Sequence, residues 1–163
     1  MRRAGLEGSG GVAPHAVRTT DSRHAIPIAP NRLRQNIESA RPIKVWLADL
    51  TYVPTGEGWL FLAAIIDMAT RKVALWAMPE TLHAEIAIDA LRMAIERQRP
   101  PPGLIHHSDR GVQYAADSSR QVLAAARITP SMSRKGNCQG NAPMESFFHT
   151  LKVKRVHHQI YPT

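Results

Sequence analysis

The alternation of apolar and polar positions after residue 44 predicts a β-strand over residues 45–53. Its two faces carry different residues, with Trp46, Ala48, Leu50 and Tyr52 on one and Val45, Leu47, Asp49, Thr51 and Val53 on the other. Apolar runs predict two further strands over 59–67 and 72–78. Because the first connection is the short turn at 55–58, these three strands form an antiparallel meander.

The second half of the chain alternates helical and strand patterns around a proline-rich break at 100–103. In order, the patterns predict a helix over 82–97 with Thr81 as N-cap, a strand over 104–108, a helix capped by Asp117 or Ser118 that runs to about Ala126, and a strand over 128–132. Strands joined through helices pair in parallel. The sequence therefore predicts an α/β fold with a mixed five-stranded sheet, three antiparallel strands followed by two parallel ones, flanked by helices.

A last helix is predicted by apolar residues in helical register at Phe147, Phe148, Leu151 and Val156, behind a proline suited to a first helical turn. It carries Glu145 near its start. Lys152 lies seven residues further on, two turns along nearly the same face, with His149 between them. An acid and a base therefore point the same way. Taken alone, the segment is also typical of an amphipathic surface helix.

Two other carboxylates stand in unusual places. Asp49 shares a strand face with apolar neighbours, where a charge is costly unless a cation meets it. Asp109 opens an Asp-Arg-Gly turn at the carboxyl end of the strand 104–108, where α/β proteins commonly carry out their chemistry. Asp67 is a rival carboxylate, but its place before a turn favours a capping role over metal binding.

The adjacent pair His106 and His107 could suggest zinc. On a strand the two rings face opposite ways, so at most one can join Asp109 at a single ion, and a zinc site is the weaker interpretation. His107 shares a face with Asp109 and can help to orient it, whereas His106 is better interpreted as a packed or capping residue.

Composition narrows the class of protein. The 163 residues suit one domain, and 21 basic against 13 acidic residues, a net charge of +8, favour an anionic partner such as a nucleic acid, although many basic proteins bind none. The single cysteine, Cys138, excludes an internal disulfide framework and suits a reducing cytoplasm. No apolar run approaches the ~20 residues of a membrane span.

We expect a flexible segment and linker over 1–43, a core domain truncated at its C-terminal end over 44–163, and a mobile glycine-rich loop over 133–142.

Four motifs together resemble insertion-sequence transposases of the kind made from two overlapping reading frames, whose catalytic core is similar to that of retroviral integrases. They are WLADLTYVPT, GWLFLAAIIDMATRK, HHSDRGVQY and GNAPMESFFHTLK, in that order. The 35 residues between Asp109 and Glu145 resemble the family's Asp-Asp-35-Glu spacing. One position departs from the family, since Gly140 stands where Asp or Asn is usual.

The resemblance implies a ribonuclease-H-like fold and a DDE site in which Asp49, Asp109 and Glu145 bind Mg²⁺ or Mn²⁺, as a pair of ions. It implies DNA as partner, both transposon ends and target, together with homo-oligomers and a place at the nucleoid of a bacterial cytoplasm. Lys152 matches the family's basic residue seven positions after the glutamate, and Arg110, Lys135 and Lys154 are further candidates for DNA contact. The activity so implied is metal-dependent DNA hydrolysis and strand transfer. The alternative is a non-catalytic DNA-binding or dimerising fragment.

Overall fold

Strands β1 (Val45–Thr55), β2 (Gly58–Asp67) and β3 (Val73–Ala77) form an antiparallel meander in the computed structural model of the protein. Strands β4 (Ile105–Ser108) and β5 (Thr129–Met132) extend the sheet in parallel, in the order β3-β2-β1-β4-β5. The predicted mixed sheet is therefore confirmed, including its division into three antiparallel and two parallel strands. The structure describes residues 24–33, 41–78, 85–133, 141–156 and 161.

The sheet is covered by helices on both faces, as the alternation in β1 predicts. Trp46, Ala48 and Leu50 enter one hydrophobic cluster, which packs under α1 (Ile86–Gln98) and α3 (Asp117–Ala125). Val45 and Leu47 enter a second cluster on the opposite face, under α4 (Ala142–Leu151). Asp49 has the same parity as Val45 and Leu47, and its partner on β2 is Ala64 of the second cluster. Asp49 therefore lies on the α4 side of the sheet.

Two helix starts differ from the sequence prediction. Helix α3 follows Ala116 without a side-chain cap, so the predicted cap at Asp117 or Ser118 is wrong. Asp117 instead lies in the first turn, where it suits the helix dipole and pairs with Arg120. A one-turn helix that was not predicted, α2 (Val112–Ala115), precedes it, since four residues are too few for a periodic pattern. Thr81, the predicted cap of α1, lies outside the described residues, and α1 begins after Glu85.

Helix α4 buries Met144 and Phe148 against the sheet and ends in a π-helical turn, Lys152–Val156. A straight α-helix would rotate Val156 about 80° away from Phe148, because eight residues exceed two turns by that angle. The wider π turn returns Val156 to the buried side. The predicted apolar register of this helix is therefore kept through its last residue by a change of helix type.

Residues 24–33, which lie in the predicted flexible segment and linker over 1–43, are packed against the domain. Ile26 and Ala29 pack against the first cluster, and Leu33 is buried in the second. The predicted domain limits, 1–43 and 44–163, stay a prediction.

Lys135, Gly140 and the other residues of 134–140 in the predicted loop lie outside the described residues. Within the described part of the chain, no helix is long and apolar enough to cross a membrane.

Candidate active site

The structure brings Asp49, Asp109 and Glu145 towards one end of the sheet. The parallel register pairs Leu47 of β1 with His107 of β4, so Asp109 follows two residues later, level with Asp49. Glu145 lies in the first turn of α4, which packs over β1. Two neighbouring strands and one helix thus supply the three carboxylates.

The negative charges of Asp109 and Glu145 both affect the pKa of Asp49. Burial, the negative charge of Asp109 and then that of Glu145 together raise the pKa of Asp49 to about 7, against two hydrogen bonds that lower it. Its Oδ1 accepts from the Leu50 amide at 2.8 Å, and its Oδ2 accepts from Asn141 Nδ2 at 3.0 Å. Among the residues that the structure describes, no positively charged group is among the causes of this shift, so these surroundings of Asp49 do not offset its charge.

The turn after β4 holds Asp109 by its backbone. The Gly111 amide donates to Asp109 Oδ1 at 2.8 Å, and the Ser108 hydroxyl donates to the Asp109 carbonyl at 3.0 Å. Arg110 Nε donates to the Ser133 carbonyl at 2.7 Å, which ties this turn to the end of β5. The Arg110 side chain therefore makes a structural contact within the domain, and its predicted contact with DNA stays a prediction.

Glu145 is exposed on α4, with His149 exposed one turn later. The Lys152 ammonium lies 4.6 Å from the centre of the Tyr52 ring, a cation–π contact, and burial lowers the pKa of Lys152. Lys152 is partly buried, whereas Lys154 is exposed in the π-helical turn. Among the described basic candidates, Lys152 is thus held on the ring of Tyr52 in β1, whereas Arg110 is held by the Ser133 carbonyl.

Asn141 is a site residue that the sequence analysis did not single out. It precedes α4 as its N-cap residue, is only 6% exposed, and donates to Asp49. Its Oδ1 is buried and has no hydrogen-bond partner among the described residues. In a loop rich in glycine and asparagine, a further asparagine is most simply interpreted as a turn residue. The available signal was its position directly before the Ala142-Pro143 helix start, where an asparagine is a preferred N-cap.

The donors at this site suit a hard divalent cation. Carboxylate and amide oxygens are the ligands that Mg²⁺ and Mn²⁺ prefer, and a cation would offset both the burial and the repulsion that raise the pKa of Asp49. It would also satisfy the unpartnered Asn141 oxygen. The described residues contain no three His, Cys, Asp or Glu side chains already gathered closely enough to hold an ion. The carboxylates are therefore near one another without being closed around a point.

His106 and His107 make structural contacts within the domain. His106 is buried with its ring centre 6.1 Å from that of Tyr114, which confirms its packed position. His107 Nδ1 lies 2.9 Å from the Ser131 hydroxyl and its Nε2 lies 3.1 Å from the Ser133 hydroxyl. Burial lowers the pKa of both rings to about 4. The rings are thus neutral near pH 7, and His107 links β4 to β5 and the residue after it.

The profile of the integrase core domain family matches residues 39–138, well over half of the chain. The chain belongs to the integrase core domain family. It is 52% identical over 140 residues to an uncharacterized 31 kDa protein of insertion element IS600 from Shigella sonnei, covering 86% of this chain and 52% of that protein. It is 42% identical over 134 residues to the transposase InsF of insertion sequence IS3A from Escherichia coli K12, covering 82% and 46%.

Solved structures with the integrase core fold agree with this placement. A chain of the simian T-cell lymphotropic virus intasome, in complex with a PP2A regulatory subunit, has a TM-score of 0.64 at 20% identity, covering 85% of this chain and 47% of that one. The HTLV-2 integrase catalytic core domain in complex with magnesium has a TM-score of 0.57 at 17% identity, covering 69% and 68%. The chain itself spans about half the length of the curated relatives it matches.

Proposed function

We propose that this integrase core domain is the catalytic core of a transposase that hydrolyses DNA phosphodiester bonds and joins the freed 3′ ends to target DNA. The observation that carries the proposal is the approach of three carboxylates where β4 finishes, with Asp109 level with Asp49 and Glu145 in the first turn of the helix over β1. The raised pKa of Asp49 is consistent with this approach. The similarity to a protein named as a transposase supports the reaction class. The chemistry of the donors supports the metal.

Asp49, Asp109 and Glu145 would hold Mg²⁺ or Mn²⁺, with two ions as the expected number. Such ions activate an attacking oxygen, stabilise a leaving oxygen and offset the charge of the phosphate. The chain's own contribution is to present the oxygens. Asp49 is fixed by two hydrogen bonds, Asp109 by the Gly111 amide, and Glu145 by its place in the first turn of α4.

DNA is the proposed partner, as transposon end and as target. The net charge of +8 favours binding to phosphates, and such binding weakens steeply with added salt because counterions are released. Lys152, Arg110, Lys135 and Lys154 are the proposed contacts. A homo-oligomer at the bacterial nucleoid completes the proposal, because two transposon ends must be held together for joining.

The test is a titration of Mn²⁺ into the protein followed by cleavage and strand-transfer assays on labelled DNA. We expect Mn²⁺ to bind the wild type and to bind far more weakly after Asp49→Asn combined with Asp109→Asn. Glu145→Gln should lose cleavage, because it removes one of the proposed metal ligands. It should keep DNA affinity, because Glu145 is exposed and contributes little to the core. Unchanged Mn²⁺ binding in the double variant would contradict the site. DNA binding without any Mn²⁺-dependent cleavage would favour the binding-fragment alternative.

A further inference from the structure

The segment His24–Leu33, called the strap below, is joined near one end to the turn that follows β4 and near the other end to β5. His24 Nε2 donates to the Arg110 carbonyl at 2.8 Å, across 86 residues of sequence. The Arg32 amide donates to the Ser131 hydroxyl at 2.9 Å, across 99 residues. Contacts this distant in sequence do not arise from local turn chemistry, so the strap has a defined place in the tertiary structure.

Three further hydrogen bonds, joined through the covalent structure of Ser133 and Arg110, connect the two ends of the strap through the domain. From Ser131 it passes to His107 at 2.9 Å, from His107 to the Ser133 hydroxyl at 3.1 Å, and from the Ser133 carbonyl to Arg110 Nε at 2.7 Å. The path begins and ends on the strap and encloses the carboxyl ends of β4 and β5.

The contact made by His24 falls on one particular peptide unit. The carbonyl that accepts from His24 belongs to Arg110, and the amide of the same planar unit is that of Gly111, which donates to Asp109 Oδ1. Because a peptide unit is rigid, fixing the direction of its carbonyl fixes the direction of its N–H. His24 therefore acts on the carboxylate of Asp109 through a single rigid group.

We propose that the strap is a positioning element of the carboxylate site, in which His24 orients Asp109 through the 110–111 peptide and so sets its affinity for a divalent ion. The inference rests on the proposed function, in which Asp109 binds that ion. His24 Nδ1 is buried and has no hydrogen-bond partner in the described part of the chain. Among the described residues, the hydrogen bond to the Arg110 carbonyl is thus the one that the His24 ring makes.

Two matched pairs of variants test the role. His24→Ala removes the donor, whereas His24→Gln keeps an N–H at the end of a side chain of comparable reach. Arg32→Pro removes the backbone amide that donates to Ser131, whereas Arg32→Ala removes only an exposed side chain and keeps that amide. Each variant is assayed for Mn²⁺ affinity, for hydrogen exchange at the Gly111 amide, and for thermal unfolding.

We expect His24→Ala to weaken Mn²⁺ binding about fivefold, the scale of one hydrogen bond, and to speed exchange at Gly111. His24→Gln should restore most of both. Arg32→Pro should move both readouts in the same direction by less, and Arg32→Ala should leave them unchanged. Unchanged Mn²⁺ affinity in His24→Ala, or equal losses in His24→Ala and His24→Gln, would overturn the proposal.

Asp109→Asn separates this inference from the proposed function. If Asp109→Asn weakens Mn²⁺ binding and His24→Ala does not, the strap proposal fails and the metal site stands. If Asp109→Asn leaves Mn²⁺ binding unchanged, the proposed function fails and the strap proposal fails with it. Faster exchange at Gly111 in His24→Ala would then show a structural contact only.

Discussion

Two aspartates on neighbouring strands of this sheet meet opposite surroundings. Asp67, at the end of β2, is 6% exposed and accepts three hydrogen bonds, from the Ile43 amide at 2.7 Å and from the Thr70 amide and hydroxyl at 2.8 Å each. Asp49, in β1, accepts two and has two further carboxylates nearby. The predicted turn role of Asp67 is thus confirmed.

The difference shows that low exposure alone does not distinguish a carboxylate held by donors from one placed near other negative charges. Asp67 is surrounded by donors on both oxygens, so its charge holds the start of β1 and the turn after β2 together. Asp49 has fewer donors and two negative neighbours, so its charge is a cost in the metal-free protein. A buried carboxylate that destabilises the protein in which it lies is a candidate for binding a cation.

The largest expected effect is on cleavage. Asp49→Asn should lower metal-dependent DNA cleavage on the order of a thousandfold, at the upper end of the cost of removing one electrostatic group from an active site. Asp67→Asn is the matched control, because it makes the same chemical change in a carboxylate that lies among donors. It should keep its cleavage at a temperature where it is folded. Equal losses in the two variants would remove the distinction between the aspartates.

The next effect concerns pH. The folded pKa of Asp49 lies near 7, above the ordinary value of 3.8. As pH rises from about 4 to about 7, the unfolded chain releases this proton first, so Asp49 lowers the free energy of unfolding by up to about 4 kcal/mol in the metal-free protein. The contribution is constant below pH 4 and above pH 7.

Denaturant unfolding across this range, wild type against Asp49→Asn, isolates that contribution from those of other groups. The histidines oppose it, because His106 and His107 have depressed pKa values and lower stability as pH falls from about 6.5 to 4. Saturating Mn²⁺ should recover part of the loss above pH 7 in the wild type and none in Asp49→Asn. Parallel stability curves for the two proteins would contradict the raised pKa.

Stability reverses the order of the two aspartates at pH 7 without metal. Asp67→Asn should lower the free energy of unfolding by about 2 kcal/mol, because an NH₂ group replaces one accepting oxygen and leaves a buried donor without a partner. Asp49→Asn should leave it unchanged or raise it, since a repelled charge is removed. The measurement is urea unfolding of both variants in the presence of a chelator.

The smallest effect is expected at Lys152. Lys152→Ala should weaken DNA binding a few-fold and lower the slope of affinity against salt by about 1, as for the loss of one phosphate contact. Mn²⁺ affinity should change little. Lys72→Ala, an exposed lysine beside the turn after β2, is the control. If the two variants lose DNA affinity equally, Lys152 is only part of the general positive charge.

Much of the candidate site was predictable because its residues stand out locally. Asp49 breaks an apolar strand face, Asp109 ends a strand in a turn, and Glu145 begins a helix behind a proline. Asn141 and the strap were missed for one reason. Their partners lie 92 residues away for Asn141 and 86 and 99 residues away for the strap. The sequence signals Asn141 as a helix N-cap, but it does not identify any of these distant partners.

By itself, the sequence determined the strands, the order of the elements and the two faces of β1, because period-2 and period-3.6 patterns record which side of each element is buried. Only the tertiary structure decided that Asp49 is repelled while Asp67 is satisfied. It also decided that Lys152 lies on Tyr52 and that the 110–111 peptide is held from the far end of the chain. The physical reason is that electrostatic and hydrogen-bond energies depend on distances across the fold, which spacing along the chain does not encode.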